Sequence, residues 1–213
     1  AHTDQGRRYP SHVIFENNVA DNASFLAFNV HSNSLEGLSI VQNNRIYNCN
    51  LIYKNEYGST IFENNHVIKN DATSGSTWLC IIGAGQSTAN DDATHIFKDN
   101  IIEFDSSESF CLIRGDCSIT SNTFLNNSSA QPNYFQIETG VTTDSISITE
   151  NKFKGNDVVY SSKFIINDNA AGASIPLLDF SDNHFEHKVN LASITDELFK
   201  FSVATTYGEI RIN

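Results

Sequence analysis

Arg114 and Glu138 are the two residues of this 213-residue chain whose types and setting could do chemistry together. Each follows an isoleucine, Ile113 or Ile137, near the end of a short run of β-branched and aromatic residues. If both isoleucines point inward on neighbouring strands, alternation turns Arg114 and Glu138 outward, side by side. Asp116 and Asp168 lie just beyond the ends of runs of the same kind. Glycoside hydrolysis needs two carboxyl groups about 5–9.5 Å apart, and adjacent strands supply such spacings. Glu138 would then be the acid or base, Asp116 or Asp168 the second carboxylate, and Arg114 the group that orients substrate. Lys54 is expected in the same outward column two repeats earlier, with Asn167 one repeat later. A lyase would instead need a cation beside a uronate, from Arg114 with Lys54 or Lys163, and an acid such as Tyr160. The plain alternative for Arg114 and Glu138 is a solvated cross-strand ion pair worth about 0–1 kcal/mol.

Trp78, Tyr134 and Tyr160, with Tyr53 and Tyr57 in loops, are the candidates for stacking on sugar rings, although aromatic side chains in such strands also fill cores. The histidines at 2, 12, 31, 66, 95, 184 and 187 are scattered and expected at the surface. His184 and His187 form the one close pair, and a three-residue offset along a strand puts them on opposite faces, which argues against zinc. Asn90-Asp91-Asp92 could hold Ca²⁺, but without a ladder of ligands it reads as a solvated loop, and no cofactor is expected. Gly83-Ala84-Gly85 lacks the Lys and Ser/Thr of a phosphate loop. Cys49, Cys80, Cys111 and Cys117 have neither CxxC pairing nor the density of a disulfide scaffold, and read as buried thiols.

What must position these residues is a repeat. Its copies are Phe15-Glu16-Asn17-Asn18-Val19-Ala20, Val41-Gln42-Asn43-Asn44-Arg45-Ile46, Phe62-Glu63-Asn64-Asn65-His66-Val67 and Phe97-Lys98-Asp99-Asn100-Ile101-Ile102. Three more follow around Asn122, Asn151 and Asn183. The spacings vary, as expected when each unit carries a loop of its own length. A second apolar run follows each copy, for example Trp78–Ile82, Phe110–Arg114 and Tyr134–Glu138, short and bounded by Gly, Asn, Asp or Ser. Such units stack as coils of a parallel β-helix about 4.8 Å apart. At the bend the asparagine amide can bond to its equivalents above and below, and Asn tolerates the left-handed backbone a tight bend needs.

On this repeat, and on the pieces Asn122-Thr123-Phe124-Leu125-Asn126 and Asn44-Arg45-Ile46-Tyr47-Asn48, the chain resembles the right-handed parallel β-helix proteins of the pectate-lyase-like superfamily. The resemblance implies an all-β, right-handed single-stranded parallel β-helix (solenoid) of about seven coils over residues 11–213, with residues 1–10 as an N-terminal extension. It also implies a carbohydrate-directed domain that binds or depolymerises polysaccharide, as a tailspike-like protein or a secreted carbohydrase. Glycoside hydrolase and polysaccharide lyase are the corresponding activities, with Glu138, Asp116 and Asp168 as catalytic candidates and Arg114, Lys54, Tyr160 and Trp78 as substrate-binding ones. The location implied is extracellular: a phage virion tail, or secreted or at the cell surface. The Asp-Pro-His type motif of the related epimerases is absent. A fold does not by itself license an activity, so the competing reading is a non-catalytic structural or receptor-binding segment of a virion or cell-surface protein.

Composition narrows the partners. With a net charge of −12 and 13 Lys and Arg in all, the chain lacks the clustered cations that a nucleic-acid backbone requires. No apolar run approaches the roughly 20 residues of a membrane span. The N-terminus has no apolar leader region and the chain has no methionine, while Gly208–Asn213 resembles the first strand of another coil. A processed product or a piece of a longer protein, or a subunit capped by partners, is therefore expected. Ile14, Ile40, Ile61 and Ile96 precede the inward residues of the first four copies, so an outward apolar stripe is expected, where Ser118, Ser147 and Asp179 stand later. Such a stripe suits either a loop folded over the first four coils or an interface with neighbouring copies, and the tailspike resemblance implies a homotrimer.

Overall fold

The computed structural model describes residues 12–22, 28–30, 37–55, 58–70, 78–82, 93–105, 109–127, 134–139, 145–158, 164–168, 174–188, 199–201 and 206–212. Every regular element among them is a strand, and the chain visits three parallel sheets in rotation. Sheet A has eight strands, from His12–Glu16 to Thr206–Ile212, and sheets B and C have seven each. Sheet B runs from Val19–Asp21 to His184–Lys188, and sheet C from Phe28–Val30 to Phe199–Phe201. Within each sheet, bonded neighbours are strands three apart in the chain, so each repeat lies on the one before it. This is the all-β, parallel, solenoid-compatible arrangement that the repeat implied.

Each copy of the motif is a corner between sheets A and B. In the third copy the strand Ser59–Glu63 ends, Asn64 adopts φ 51°, and the strand His66–Lys69 begins one residue after Asn65. Phe62 and Val67 on either side of the corner are both buried in the core. The left-handed residue is therefore not the ladder asparagine but the one before it: Asn17, Asn43, Asn64, Asp99, Ser121, Glu150 and Asp182 all have φ between 51° and 58°. One left-handed residue bends the chain sharply and lets the next asparagine aim its amide inward.

The amides form a continuous ladder through Asn18, Asn44, Asn65, Asn100, Asn122, Asn151 and Asn183. Each Nδ2 donates to the Oδ1 of the asparagine one repeat later, at 2.8–3.1 Å. The same Oδ1 accepts the backbone N–H of the earlier asparagine at 2.9–3.0 Å. From Asn44 onward, Nδ2 also donates back to the carbonyl of an apolar residue in the preceding repeat, at 2.6–3.0 Å. A side-chain amide has two donors and two acceptor sites, and every one is used at the inner levels.

Apolar columns fill the space between the sheets. Phe124, Phe153 and Phe185 stack nearly parallel with centroids 4.9 Å apart, matching the strand spacing. At the corner from sheet C back to sheet A the residues are small: Gly37, Gly58, Ala93 and Gly115, all buried. A Cβ on Gly58 would lie 2.4 Å from the Gly37 carbonyl oxygen, which accepts the Ser59 N–H, and Gly58 also has φ +80°.

On sheet A, Val41, Phe62 and Phe97 point inward and their preceding isoleucines outward, as expected. Ile14, Ile40, Ile61 and Ile96 are register partners in one row. That row continues as Ser118, Ser147, Asp179 and Arg211.

Two stability measurements check this account. Asn122→Ala removes the inner-ladder bonds and strands buried donors, so chemical denaturation should show a loss of about 3 kcal/mol or more, whereas Asn18→Ala, at an exposed level, should cost about 1 kcal/mol. Glu150 holds a left-handed conformation at φ 58° in which an ordinary L-residue is strained. Glu150→Asn should therefore stabilise by about 1 kcal/mol, and a loss in that variant would contradict the assigned strain.

Candidate functional site

Sheet C carries the expected column at the level of backbone register. Arg114 ends the strand Ser109–Arg114 and pairs with Glu138 in Phe135–Thr139, which pairs in turn with Asn167 in Phe164–Asp168. Ile113 and Ile137 are both fully buried, and the Arg114 side chain is half-buried on the outer side. Asp168 stands one residue past the column, opposite Thr139. The side chains of Glu138, Asp168 and Trp78 lie outside the described set, as do the whole residues Tyr57, Tyr160, Lys163 and the Asn90–Asp92 loop. Trp78 is placed by its backbone, opposite Ser109 at the start of its strand.

Lys54 does not share the Arg114 column. It pairs with Ile81, which pairs with Leu112, two residues before Arg114. The reason is register and not the phase of the pleat: Lys54 faces outward in either alignment, but Asn55, rather than Tyr53, lies level with Ile82 and Ile113, which sets Lys54 two residues short of the Arg114 column. The outward row beside the Arg114 column thus reads Lys54, Ile81, Leu112 and Gln136, all half-buried.

Asp116 lies around the corner from Arg114. Gly115, at φ 102°, turns the chain, and Asp116 opens the strand Asp116–Thr120 of sheet A. Its Oδ1 accepts the Ser145 N–H at 3.3 Å, so part of this carboxylate secures the start of the next repeat's strand.

Two aromatic candidates cannot meet a ligand. Tyr53 and Tyr134 are 0% exposed, both being inward residues of the core. Burial pushes the Tyr53 phenol up to about 12, against a smaller opposing effect of its hydrogen bond to Thr60. With Asn55 donating to Thr60 at 2.9 Å, these residues form a polar seam inside sheets A and C.

His95 belongs to that interior and corrects the expectation of surface histidines. It is 0% exposed, in register between Thr60 and Cys117 on the inward side of sheet A. Its Nε2 lies 3.0 Å from the Arg114 carbonyl oxygen and must carry the proton, which leaves Nδ1 as a buried lone pair without a hydrogen-bond partner. Burial pulls its pKa down to about 4, against the smaller effect of that hydrogen bond. None of the four cysteines is in a disulfide and all are buried, and desolvation raises the thiol pKa of Cys111 and Cys117. Cys111 and Cys117 are therefore poor nucleophiles. The signal that could have placed His95 inward was its alternation with Phe97, since residues two apart on a strand share a face.

A further titratable grouping lies on the outer face of sheet B. Glu186 sits 3.0 Å from Lys154, 2.9 Å from His184 and 3.8 Å from Lys152. Lys154 and then His184 hold its carboxyl down at about 2. It is a solvent-accessible ion cluster in which two lysines and a histidine share one carboxylate. No group of three or more His, Cys, Asp or Glu among the described residues is arranged to hold a metal ion, and no helix there is long and apolar enough to cross a membrane. No family model, curated protein or solved structure matches the chain.

The interior histidine gives a pH dependence with a definite sign. The unfolded chain takes up the His95 proton below about 6.5, while the native state resists until about 4. This contribution to stability is whole above pH 6.5 and falls as the pH drops towards 4, by about 1.4 kcal/mol per unit and about 3 kcal/mol in total. Urea unfolding at pH 7 and at pH 4.5 should show a steeper loss in the parent than in His95→Leu. Equal slopes would place the imidazole in contact with water.

Proposed function

We propose that the chain is a carbohydrate-binding segment, folded as a right-handed single-stranded parallel β-helix of about seven coils, that receives an extended polysaccharide along the outer face of sheet C. One observation carries this reading: the Arg114–Glu138–Asn167 column runs beside the half-buried row Lys54, Ile81, Leu112 and Gln136. A sugar polymer offers apolar ring faces and a fringe of hydroxyl groups. Ile81 and Leu112 supply an apolar ledge for the former, and the flanking cation, carboxylate and amide positions supply donors and acceptors for the latter. A face built by stacking one strand per repeat is a linear strip, which suits an extended chain better than a compact ligand.

Within this reading Glu138 is the acid or base of a depolymerising activity, Asp116 or Asp168 the second carboxylate, and Arg114 the substrate-orienting cation. Asp168 is one residue out of phase with the column, and Asp116 Oδ1 is engaged by the Ser145 N–H. The same engagement favours the second reading, a binding or structural segment of a virion or cell-surface protein with no turnover. The extracellular setting follows from the β-helix resemblance.

Purified protein screened against bacterial capsule and O-antigen preparations, with binding, reducing-end and double-bond readouts, tests both. Arg114→Ala should weaken binding by about tenfold or more, the scale of one charge-assisted contact. Glu138→Gln should abolish turnover with little change in melting temperature. Full activity in that variant removes Glu138 from the mechanism, and binding without turnover in the parent selects the second reading.

A further inference from the structure

The first four repeats present straight rows on the outer face of sheet A. The middle row is Ile14, Ile40, Ile61 and Ile96, with Ile14 58% exposed and the other three half-buried. The row beside it is Glu16, Gln42, Glu63 and Lys98, so charge runs from acidic at one end to basic at the other. Glu16 and Lys98 are exposed, and Gln42 donates to Glu16 at 2.7 Å within the row.

We propose that this face docks against the same face of a second copy, about a two-fold axis that lies along the strand direction between the second and third rows of strands. That operation keeps each row opposite itself and reverses the order of repeats. Ile40 then meets Ile61 of the other copy and Ile14 meets Ile96, giving one continuous apolar strip. Glu16 meets Lys98 and Gln42 meets Glu63, each twice by symmetry. The charge order of the row is therefore complementary to its own reversal. In the three-fold assembly with parallel coils that the tailspike resemblance implies, equal levels face equal levels, and Lys98 of one copy does not come opposite Glu16 of another. Four strands about 4.8 Å apart and five residues long cover only about 300 Å² per copy. Stable pairs bury about 800 Å² a side, so the dimer is weak and concentration-dependent.

Sedimentation equilibrium between about 10 µM and 1 mM tests this, alongside a melting curve for each variant to establish that it folds. The parent should pass from monomer to dimer over that range. Glu16→Lys and Lys98→Glu each set like charges opposite one another and should weaken dimerisation by about tenfold. The double variant Glu16→Lys with Lys98→Glu should restore parental dimerisation, and Ile61→Asp should abolish it. A parent that stays monomeric throughout, a trimer, or a double variant no better than the single ones would overturn the proposal. The experiment is independent of sugar binding, so its failure leaves the reading of sheet C untouched.

Discussion

At every corner between sheets A and B the backbone turns through a left-handed residue, and from Asn18 to Asn151 the next N–H is met by the asparagine of the following repeat, without which it would be buried unpaired at the inner levels. Asn65, for example, donates its own N–H to Asn100 Oδ1 and accepts that of Asn44. A buried donor left unmet costs about 1–3 kcal/mol, and the corner recurs at each level, so the whole stack rests on these amides. The ladder also aligns the repeats. An asparagine one position out of register would lose its own bonds and break those of both neighbours.

Once the corner is fixed, much of the packing follows. The residues flanking it, Phe62 and Val67 or Ile119 and Phe124, point into the core from two sheets, and the columns they form repeat at the strand spacing. The second corner, from C to A, is held differently, by Gly37, Gly58, Ala93 and Gly115 rather than by a side-chain ladder. The polar seam of Tyr53, Asn55, Thr60 and His95 lies against this corner, where glycine and alanine leave no apolar side chain to fill the interior. Tyr53 and Asn55 both bond to Thr60, and His95 Nε2 donates to the Arg114 carbonyl, while His95 Nδ1 is the single buried side-chain polar atom without a partner among the described residues.

The outward faces are free of these constraints, and there the repeats differ most. On sheet A the same row is isoleucine in four repeats and serine or charged in the next four. On sheet B an ion cluster gathers around Glu186. On sheet C the half-buried residues Lys54, Ile81, Leu112 and Gln136 share a row, and Arg114, Glu138 and Asn167 follow one another in backbone register. The scaffold supplies spacing to all three, and chemistry is written only in residues that the core does not use.

The sequence by itself determined the strands, the ladder and the orientation of sheet A, because each depends on local, repeated signals. Alternation with period two told inward Phe62 from outward Ile61, and the recurring asparagine aligned one repeat with the next without reference to anything distant. Sheet C had no such marker. Loops of unequal length separate it from the asparagine corner, so its register was free to slip by two residues, and only the tertiary structure decided that Lys54 lies beside Ile81 rather than in the Arg114 column. The three-dimensional structure likewise decided which residue of each corner is left-handed, since Asn64 and Asn65 are chemically the same and differ only in which amide can reach the next repeat. It also placed His95 in the core and tied Asp116 to Ser145, because both fates depend on neighbours 19 to 29 residues away that only stacking brings together.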